Sequence, residues 1–257
     1  MYFSGLNQEY SMTTISLQQS KLIKRLSLKK YRKTEGLFIA EGRKLLKEFV
    51  DHNPKAISHV YISEEEFAKN GHWLEGFSKS IHSEKDIAKH SQLKTSPGII
   101  CLIHIPDTPP IIKEGWTLVL DGVSDPGNVG SIIRIADWFG INQVVCTLET
   151  ADCFNIKVVQ STMGSLARVV PSYRGNGEIE SWLKEDERIV FKAEMEGESV
   201  FKTSFPSQGI LLMGSESHGV GELFQNLGES VTIPRFGKAE SLNVGVATGI
   251  ICSHIFR

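Results

Sequence analysis

Cysteine is scarce in this sequence, and its few residues follow no metal-binding or disulfide pattern. Four cysteines occur in 257 residues, and none belongs to a CxxC pair or accompanies a histidine in ligand spacing. Zinc sites and disulfide-stabilised small domains both need such spacing. We therefore predict no metal site and a location in the reducing cytoplasm.

Long apolar runs are missing as well. No run approaches the roughly 18 residues that a membrane-spanning helix needs. The first twelve residues, MYFSGLNQEYSM, lack the apolar region of a secretory signal. We expect no membrane association and no export, and we predict that residues 1–12 form a disordered leader.

The chain also has no overall excess of positive charge. It carries 28 Lys+Arg and 30 Asp+Glu, a net charge of -2, which taken alone argues against a nucleic-acid-binding protein. The average conceals a division, because residues 1–110 carry 16 and 12 (net +4) and residues 111–257 carry 12 and 18 (net -6). This asymmetry predicts two domains with different partners.

Two common nucleotide-binding signatures are absent. GxGxxG does not occur, and Gly237-Lys238 is followed by Ala239 where a P-loop needs Ser or Thr. These absences argue against a Rossmann-type dehydrogenase or methyltransferase and against a P-loop NTPase.

A proline-rich stretch predicts the domain boundary. The segment PDTPPIIKEG between Ile105 and Gly115 contains three prolines, which cannot continue a helix or a central strand. We predict domains over 13–108 and 114–257. Upstream, helical periodicity alternates with short β-rich runs, which predicts a small α/β domain with helices over 14–30 and 41–50 and strands over 59–63 and 98–105.

Downstream, the pattern predicts a βαβ unit from a strand at 116–120, a helix at 129–139 and a strand at 142–147. Further strands and helices alternate, which predicts a parallel sheet covered on both faces, with a ligand site at the carboxyl ends of its strands. The remaining predicted strands are 188–194, 209–214 and 230–234, and the remaining helices are 155–168, 178–186, 220–227 and 241–256.

Three loops of this second domain carry candidate chemistry. In the first, Gly127 and Gly130 permit tight turns, Asn128 can cap the following helix, and Arg134 lies on its polar face. Taken alone, this segment is more simply explained as an ordinary capped helix with a solvated arginine.

The second loop, 214–221, is rich in glycine and places Glu216 just after a strand, where a carboxylate can accept a hydrogen bond from a ligand. His218 is more simply read as a polar loop residue. The third loop, 233–240, precedes a helix of small and apolar residues that must pack against the sheet or a partner chain. Ser241 is a candidate N-cap of that helix.

Together the three loops resemble the motifs of the SpoU (TrmH-like) RNA ribose 2′-O-methyltransferases of the SPOUT superfamily. The motifs read N-x-G-x-x-x-R from Asn128, G-x-E-x-x-G from Gly214 and I-P-x-x-G-x-x-E-S-L-N-V from Ile233. Their order and spacing match from Trp116 to the end of the chain. Lys29 to Lys33 and Phe38 to Gly42 also resemble the family's RNA-substrate-binding domain.

The resemblance implies a trefoil-knotted α/β domain, S-adenosylmethionine as cofactor, no metal and a homodimer. It implies catalytic roles for Arg134, Asn128, Glu216, Ser241 and Asn243. The cofactor-binding residues that it implies are Ala193, Met195, Gly197, Gly214, Ser215, Glu216, Gly219, Ile233, Pro234, Ser241, Leu242 and Asn243. The sequence departs from the family at Arg235, where Met is usual, and at Gly245, where Ser is usual.

A basic stretch is the predicted RNA surface. Residues 21–33 carry seven positive charges in thirteen residues and no acid, and Tyr31 can stack on an unpaired base. The predicted RNA-binding residues are Lys29, Lys30, Tyr31, Arg32, Lys33 and Arg134. We expect the substrate to be 23S-type rRNA. A tRNA methyltransferase, a resistance-type enzyme and a non-catalytic ribosome-assembly protein that keeps the fold remain as alternatives.

Overall fold

The computed structural model describes residues 13–257, so the predicted leader over 1–12 lies outside the described residues. The chain divides into two units, with the division between Ile105 and Pro106. In the described part of the chain, no helix is both long enough and apolar enough to cross a bilayer.

The first unit is a four-stranded mixed sheet flanked by helices. The strand order is β1-β4-β2-β3, in which β4 pairs antiparallel with β1 and β2, and β2 pairs parallel with β3. Its strands are β1 (Leu37–Glu41), β2 (Ile57–Ser63), β3 (Lys79–His82) and β4 (Ile99–His104). Its helices are α1 (Leu17–Arg25), α2 (Lys29–Glu35), α3 (Arg43–His52), α4 (Glu64–Asn70) and α5 (Glu84–His90), with 3-10 turns at Pro54–Ala56 and Gly71–Leu74.

The predicted helix over 14–30 is wrong, because the chain breaks it into α1 and α2. Ser16 caps α1 in a capping box with Gln19. The carbonyls of Leu26 and Ser27, freed by the break, accept hydrogen bonds of 2.8 and 2.9 Å from the guanidinium of Arg32. A buried carbonyl needs such a partner, so Arg32 stabilises the junction between the two helices.

The second unit is built on a six-stranded sheet in which every pairing is parallel, as predicted. The strand order is β10-β8-β9-β5-β6-β7. Its strands are β5 (Trp116–Leu120), β6 (Gln143–Thr147), β7 (Ser172–Arg174), β8 (Val190–Ser199), β9 (Gly209–Met213) and β10 (Glu229–Thr232). Its helices are α6 (Pro126–Trp138), α7 (Ile156–Ser161), α8 (Asn176–Glu185) and α9 (Val244–Ile255), with 3-10 turns at Ser165–Ala167 and Glu222–Phe224.

Three predicted helices of this unit differ from the structure. The helix predicted over 155–168 ends at Ser161, because Met163 (φ 52°) and Gly164 (φ 99°) adopt left-handed conformations. The helix predicted over 220–227 is a single 3-10 turn. The last helix begins three residues later than predicted, at Val244.

The core of the sheet is apolar throughout, since β5, β6 and β9 are buried along their whole length. Strands covered on both faces read as continuous apolar runs, which is why these three were predictable. Val119, Ile210 and Leu212 pack with Ile179 and Leu183 of α8 in one buried cluster.

A buried ion pair connects α8 to the start of the sheet. Arg188 makes two hydrogen bonds of 2.9 Å to the carboxylate of Asp186, and both side chains are at most 2% exposed. The same guanidinium donates to the carbonyl of Gly115 and the hydroxyl of Thr117, each at 3.1 Å. Arg188 therefore links the chain before β8 to the first residues of β5.

Candidate functional site

Three loops of the second unit follow the carboxyl ends of strands in the parallel sheet. The first begins after Leu120 of β5, the second after Met213 of β9 and the third after Thr232 of β10. Because β5, β8, β9 and β10 are parallel neighbours, these loops emerge along one edge.

Asn128 connects the three loops through its side-chain amide. Its Nδ2 donates a hydrogen bond to Oε1 of Glu216 in the second loop. Its Oδ1 accepts a hydrogen bond of 2.7 Å from Nδ2 of Asn243, at the end of the third loop. The structure thus brings together three predicted catalytic residues that are separated by up to 115 positions in sequence.

The helix caps differ from those predicted. Asp125 caps α6 by accepting a 2.9 Å hydrogen bond from the backbone N–H of Asn128, so Asn128 is not the cap and its side chain is available to the other loops. Asn243, not Ser241, caps α9, since its Oδ1 accepts from the backbone of Gly245 and Val246. Asn243 therefore both begins α9 and positions Asn128.

A cavity of about 640 Å³ opens beside this network. Ser241 and nine other residues predicted to bind the cofactor line it. These are Ala193, Met195, Gly214, Ser215, Glu216, Gly219, Ile233, Pro234, Ser241 and Leu242. Gly197 and Asn243 were also predicted to bind the cofactor, but they do not line the cavity.

Gly197 and Gly214 permit close approach of the backbone. A Cβ at Gly214 would lie 2.1 Å from the carbonyl carbon of Gly219, so this turn accommodates no side chain there. The turn is closed by hydrogen bonds of 2.9 Å in both directions between Ser215 and Gly219. A Cβ at Gly197 would lie 2.4 Å from the carbonyl oxygen of Ser230, so Gly197 serves the packing of β8 on β10.

The residues that form the floor of the cavity were not predicted from the sequence. Apolar side chains of β9, β10 and α9 form it, and in the sequence they are indistinguishable from core residues. They are Met213, Val231, Val244, Ala247 and Ile251.

Asp121 was also missed. Its carboxylate accepts a hydrogen bond of 2.7 Å from the backbone of Gly221, which connects the first loop to the second. Burial raises the pKa of Asp121, and the Gly221 hydrogen bond opposes that rise. A carboxylate directly after a buried strand was the available sequence signal.

Arg134 lies outside the cavity wall. It is exposed on α6, on the same face as Ser131 and Trp138, and it makes no hydrogen bond or ion pair with another residue of 13–257. The structure therefore leaves its guanidinium available to a ligand or to another macromolecule.

The predicted RNA-binding residues of the first unit divide into two groups. Lys29, Lys30 and Lys33 are exposed on α2, and Tyr31 is half-buried with the guanidinium of Arg25 5.5 Å from its ring centroid. Arg32 differs, because it is 3% exposed and bonds to the α1–α2 junction. A buried guanidinium committed to backbone carbonyls cannot reach a phosphate, so we withdraw Arg32 from the predicted RNA surface.

Among residues 13–257, no group of three or more His, Cys, Asp or Glu side chains is arranged to hold a metal ion. The cysteines at 101, 146, 153 and 252 are free and buried. Burial raises the pKa of the Cys252 thiol to about 12.

Comparison with known proteins finds a matching family model for each unit. The model of the SpoU rRNA methylase family matches residues 115–253, and that of the MRM3-like substrate binding domain matches residues 18–101. Among curated proteins, the 23S rRNA (guanosine(2553)-2′-O)-methyltransferase RlmP of Bacillus subtilis is 29% identical over 246 residues, covering 93% of this chain and 96% of that protein. The 23S rRNA (uridine(2479)-2′-O)-methyltransferase of Streptomyces viridochromogenes is 26% identical over 84% of this chain and 81% of its own length.

Solved structures of similar proteins superpose on nearly the whole of this chain. A TrmH-family protein from Porphyromonas gingivalis superposes with a TM-score of 0.84 and 32% identity, covering 95% of this chain and 98% of that one. An AdoMet-bound rRNA methyltransferase from Sinorhizobium meliloti superposes with a TM-score of 0.83 and 27% identity, covering 95% and 97%. Since the family model matches more than half of the sequence, the chain belongs to the SpoU rRNA methylase family.

Proposed function

We propose that this protein uses S-adenosylmethionine to methylate a ribose 2′-hydroxyl in 23S rRNA. The observation that carries the proposal is the contact of Asn128 with Glu216 and Asn243 beside the cavity, because it joins one residue from each of the three loops. Family membership supports the chemistry. The 23S rRNA methyltransferases of B. subtilis and S. viridochromogenes, which align with 93% and 84% of the chain, support the choice of substrate.

The cavity residues fit S-adenosylmethionine. A volume of about 640 Å³ lies within the usual range for small-molecule sites. Its apolar floor would hold a nucleoside, and the carboxylates of Glu194, Glu216 and Glu240 along its lining would favour a cationic ligand. When bound, the cofactor supplies an electrophilic methyl group carried on a sulfonium.

The chain's own contribution is to position the ribose and stabilise charge. A 2′-hydroxyl becomes a better nucleophile as its proton leaves, and negative charge then develops on its oxygen. Arginine side chains are cationic donors, so we assign the guanidinium of Arg134 to binding the RNA backbone and stabilising that oxygen. Asn128, fixed by Glu216 and Asn243, would orient the ribose, and Ser241 would contact substrate or cofactor at the rim.

The first unit is proposed to bind the RNA substrate. Its α2 presents Lys29, Lys30 and Lys33 to solvent beside Tyr31, and cations next to an aromatic ring suit phosphates and an unpaired base. The match to a substrate-binding family model over 18–101 supports this role. We propose domain limits of 13–108 and 114–257.

We further propose a homodimer with a trefoil-knotted second domain, acting in the cytoplasm. Support for the dimer comes from exposed apolar side chains around α6 and α9, since Trp138 is 84% and Val246 53% exposed. The two helices pack closely, and a Cβ at Gly245 would lie 3.4 Å from that of Ser131. Arg134 shares the exposed face of α6 with Trp138.

Light scattering of wild type and Trp138→Glu tests the dimer, and a monomeric, fully active wild type would contradict it.

Mapping 2′-O-methylation tests the function. RNA from a strain lacking the gene should be missing one 2′-O-methyl group in 23S rRNA, and purified protein with labelled S-adenosylmethionine should restore it. If the missing 2′-O-methyl group lies in tRNA instead, the substrate is tRNA and not 23S rRNA. Unchanged methylation of all RNA, together with no binding of the cofactor in calorimetry, would favour a non-catalytic assembly protein.

A further inference from the structure

The loop between β10 and α9 presents an aromatic ring at the rim of the cavity. Phe236 is 93% exposed, more than any other large apolar residue in the described part of the chain. It nevertheless lines the cavity, together with Arg235 and Gly237. A side chain that both lines a cavity and faces solvent lies at its mouth.

Phe236 makes no ring contact with another residue of 13–257, although the loop that carries it is held in place. The guanidinium of Arg235 donates a 3.3 Å hydrogen bond to the carbonyl of Ala239, which closes the segment around the ring. At the far end of the loop, Asn243 is fixed by α9 and by Asn128. The ring is therefore displayed from a defined turn.

Two cations neighbour the ring, although the unit as a whole is acidic. Residues 111–257 carry 12 Lys+Arg and 18 Asp+Glu, a net charge of -6, yet Arg235 and the exposed Lys238 flank Phe236. Other cations of this unit, such as Arg168, Arg174 and Lys184, form ion pairs with nearby carboxylates. An exposed aromatic ring between two cations suits an unpaired nucleobase and its adjoining phosphates.

The reaction places such a base near this rim. A ribose whose 2′-hydroxyl reaches the cavity carries its own base, and each neighbouring base is one nucleotide away. Sequence-tolerant stacking on an aromatic side chain is a common way to hold an unpaired base. Here it would hold the nucleotide while Asn128 orients the ribose.

We propose that Phe236 is a substrate-positioning residue, which stacks on an unpaired nucleobase at or next to the methylated nucleotide, while Arg235 and Lys238 contact the adjoining phosphates. This inference rests on the proposed function. The other occupants of this position would be the cofactor itself or a second copy of the chain, and the test distinguishes them.

The experiment uses the full-length protein and an unmodified 23S rRNA fragment that the wild type methylates. Phe236→Ala should weaken RNA binding and raise the KM for RNA roughly 5- to 150-fold, as expected for loss of one stacked base, with unchanged affinity for S-adenosylmethionine. Phe236→Trp should remain within about threefold of wild type, whereas Phe236→Leu should resemble Phe236→Ala because stacking needs a ring. Ile189→Ala is the matched control, since Ile189 is 43% exposed just before the amino end of β8, away from the carboxyl-end loops.

An abasic substitution in the RNA gives the decisive comparison. Removing the stacked base should weaken binding to the wild type but cause little further loss with Phe236→Ala. Equal RNA binding by wild type and Phe236→Ala would overturn the proposal. So would a loss of cofactor affinity, which assigns the ring to the cofactor, or a change in oligomeric state, which assigns it to a second copy. A wild type that methylates no RNA would instead refute the proposed function.

Discussion

The side-chain amide of Asn243 donates a 2.7 Å hydrogen bond to Oδ1 of Asn128, which in turn donates through Nδ2 to Glu216. The direction of each bond is fixed, because a carboxylate can only accept and the Oδ1 of Asn243 is already used by the backbone of α9. Every polar atom of the Asn128 side chain therefore has an assigned role. The arrangement leads to specific expectations for substitutions.

Asn128→Asp should reduce kcat/KM roughly 10- to 100-fold, because it removes the donor to Glu216 and places two carboxylates against each other. A methylation assay with labelled S-adenosylmethionine measures this. Asn155→Asp is the matched control, since Asn155 caps α7 through a side-chain oxygen that Asp also has. Near-normal activity of Asn128→Asp would remove Asn128 from the site.

Asn243 takes part in both the cap of α9 and the hydrogen bond to Asn128. Asn243→Asp keeps the oxygen that accepts from Gly245 and Val246 but loses the donor to Asn128, so activity should fall while stability is retained. Asn243→Ala loses both, and its free energy of unfolding should fall by about 1 kcal/mol. Urea titrations and the methylation assay on both variants test this, and equal stability losses would contradict it.

Arg134→Ala should lower kcat about 100- to 1,000-fold, the usual effect of removing a group that stabilises developing charge. Because Arg134 is exposed and has no ion-pair partner within 13–257, the substitution should change the protein's free energy of unfolding by less than about 0.5 kcal/mol. Lys184→Ala, another exposed cation in the second unit, should retain activity. A fully active Arg134→Ala enzyme would refute the assignment.

Gly214→Ala should abolish detectable binding of S-adenosylmethionine, because its Cβ would lie 2.1 Å from the backbone of Gly219 and the turn would have to open. Calorimetry measures the Kd. Gly177→Ala is the control, since a Cβ there meets nothing within 4 Å in α8, and its affinity should equal that of wild type. Equal affinities for all three proteins would place the cofactor elsewhere.

Arg188→Met should destabilise the protein by about 3–5 kcal/mol, because it leaves Asp186 buried without its partner. Replacing Asp186 with Leu as well should recover part of the loss, which urea unfolding would measure. Burial alone would raise the pKa of Asp186, but hydrogen bonds and charge from Arg188 outweigh it and hold that pKa below its ordinary value. The pair's contribution to stability should therefore be present well above the ordinary pKa of Asp and be lost as the pH falls through the lowered folded-state pKa.

Much of the second unit could be predicted from sequence because its strands are buried on both faces. The runs at 116–120, 142–147 and 209–214 identified three central strands, and the order of the motifs identified the loops that meet at their ends. The burial of individual charged residues was harder to predict. Arg32 has the same sequence context as Lys30 and Lys33, and its burial depends on the helix break at Leu26.

The cavity floor could not be predicted either, since Met213, Val244 and Ile251 are of the same residue types as the core. Whether an apolar residue fills a core or borders a ligand depends on tertiary packing, not on its periodicity. The prediction of a helix over 155–168 was wrong because Met163 adopts a left-handed backbone conformation, which a sequence does not lead one to expect at a residue other than glycine.

The hydrogen bond between Asn128 and Asn243 also limits how early the site can form during translation. The two residues are 115 positions apart, so translation at about 5–20 residues per second delivers Asn243 roughly 6 to 23 seconds after Asn128. During that interval Glu216 can emerge and meet Asn128, but α9 and the floor that it contributes do not yet exist. A nascent chain that has not passed Ile255 thus lacks a complete pocket, and methyl transfer must wait until the ribosome has synthesised the last helix.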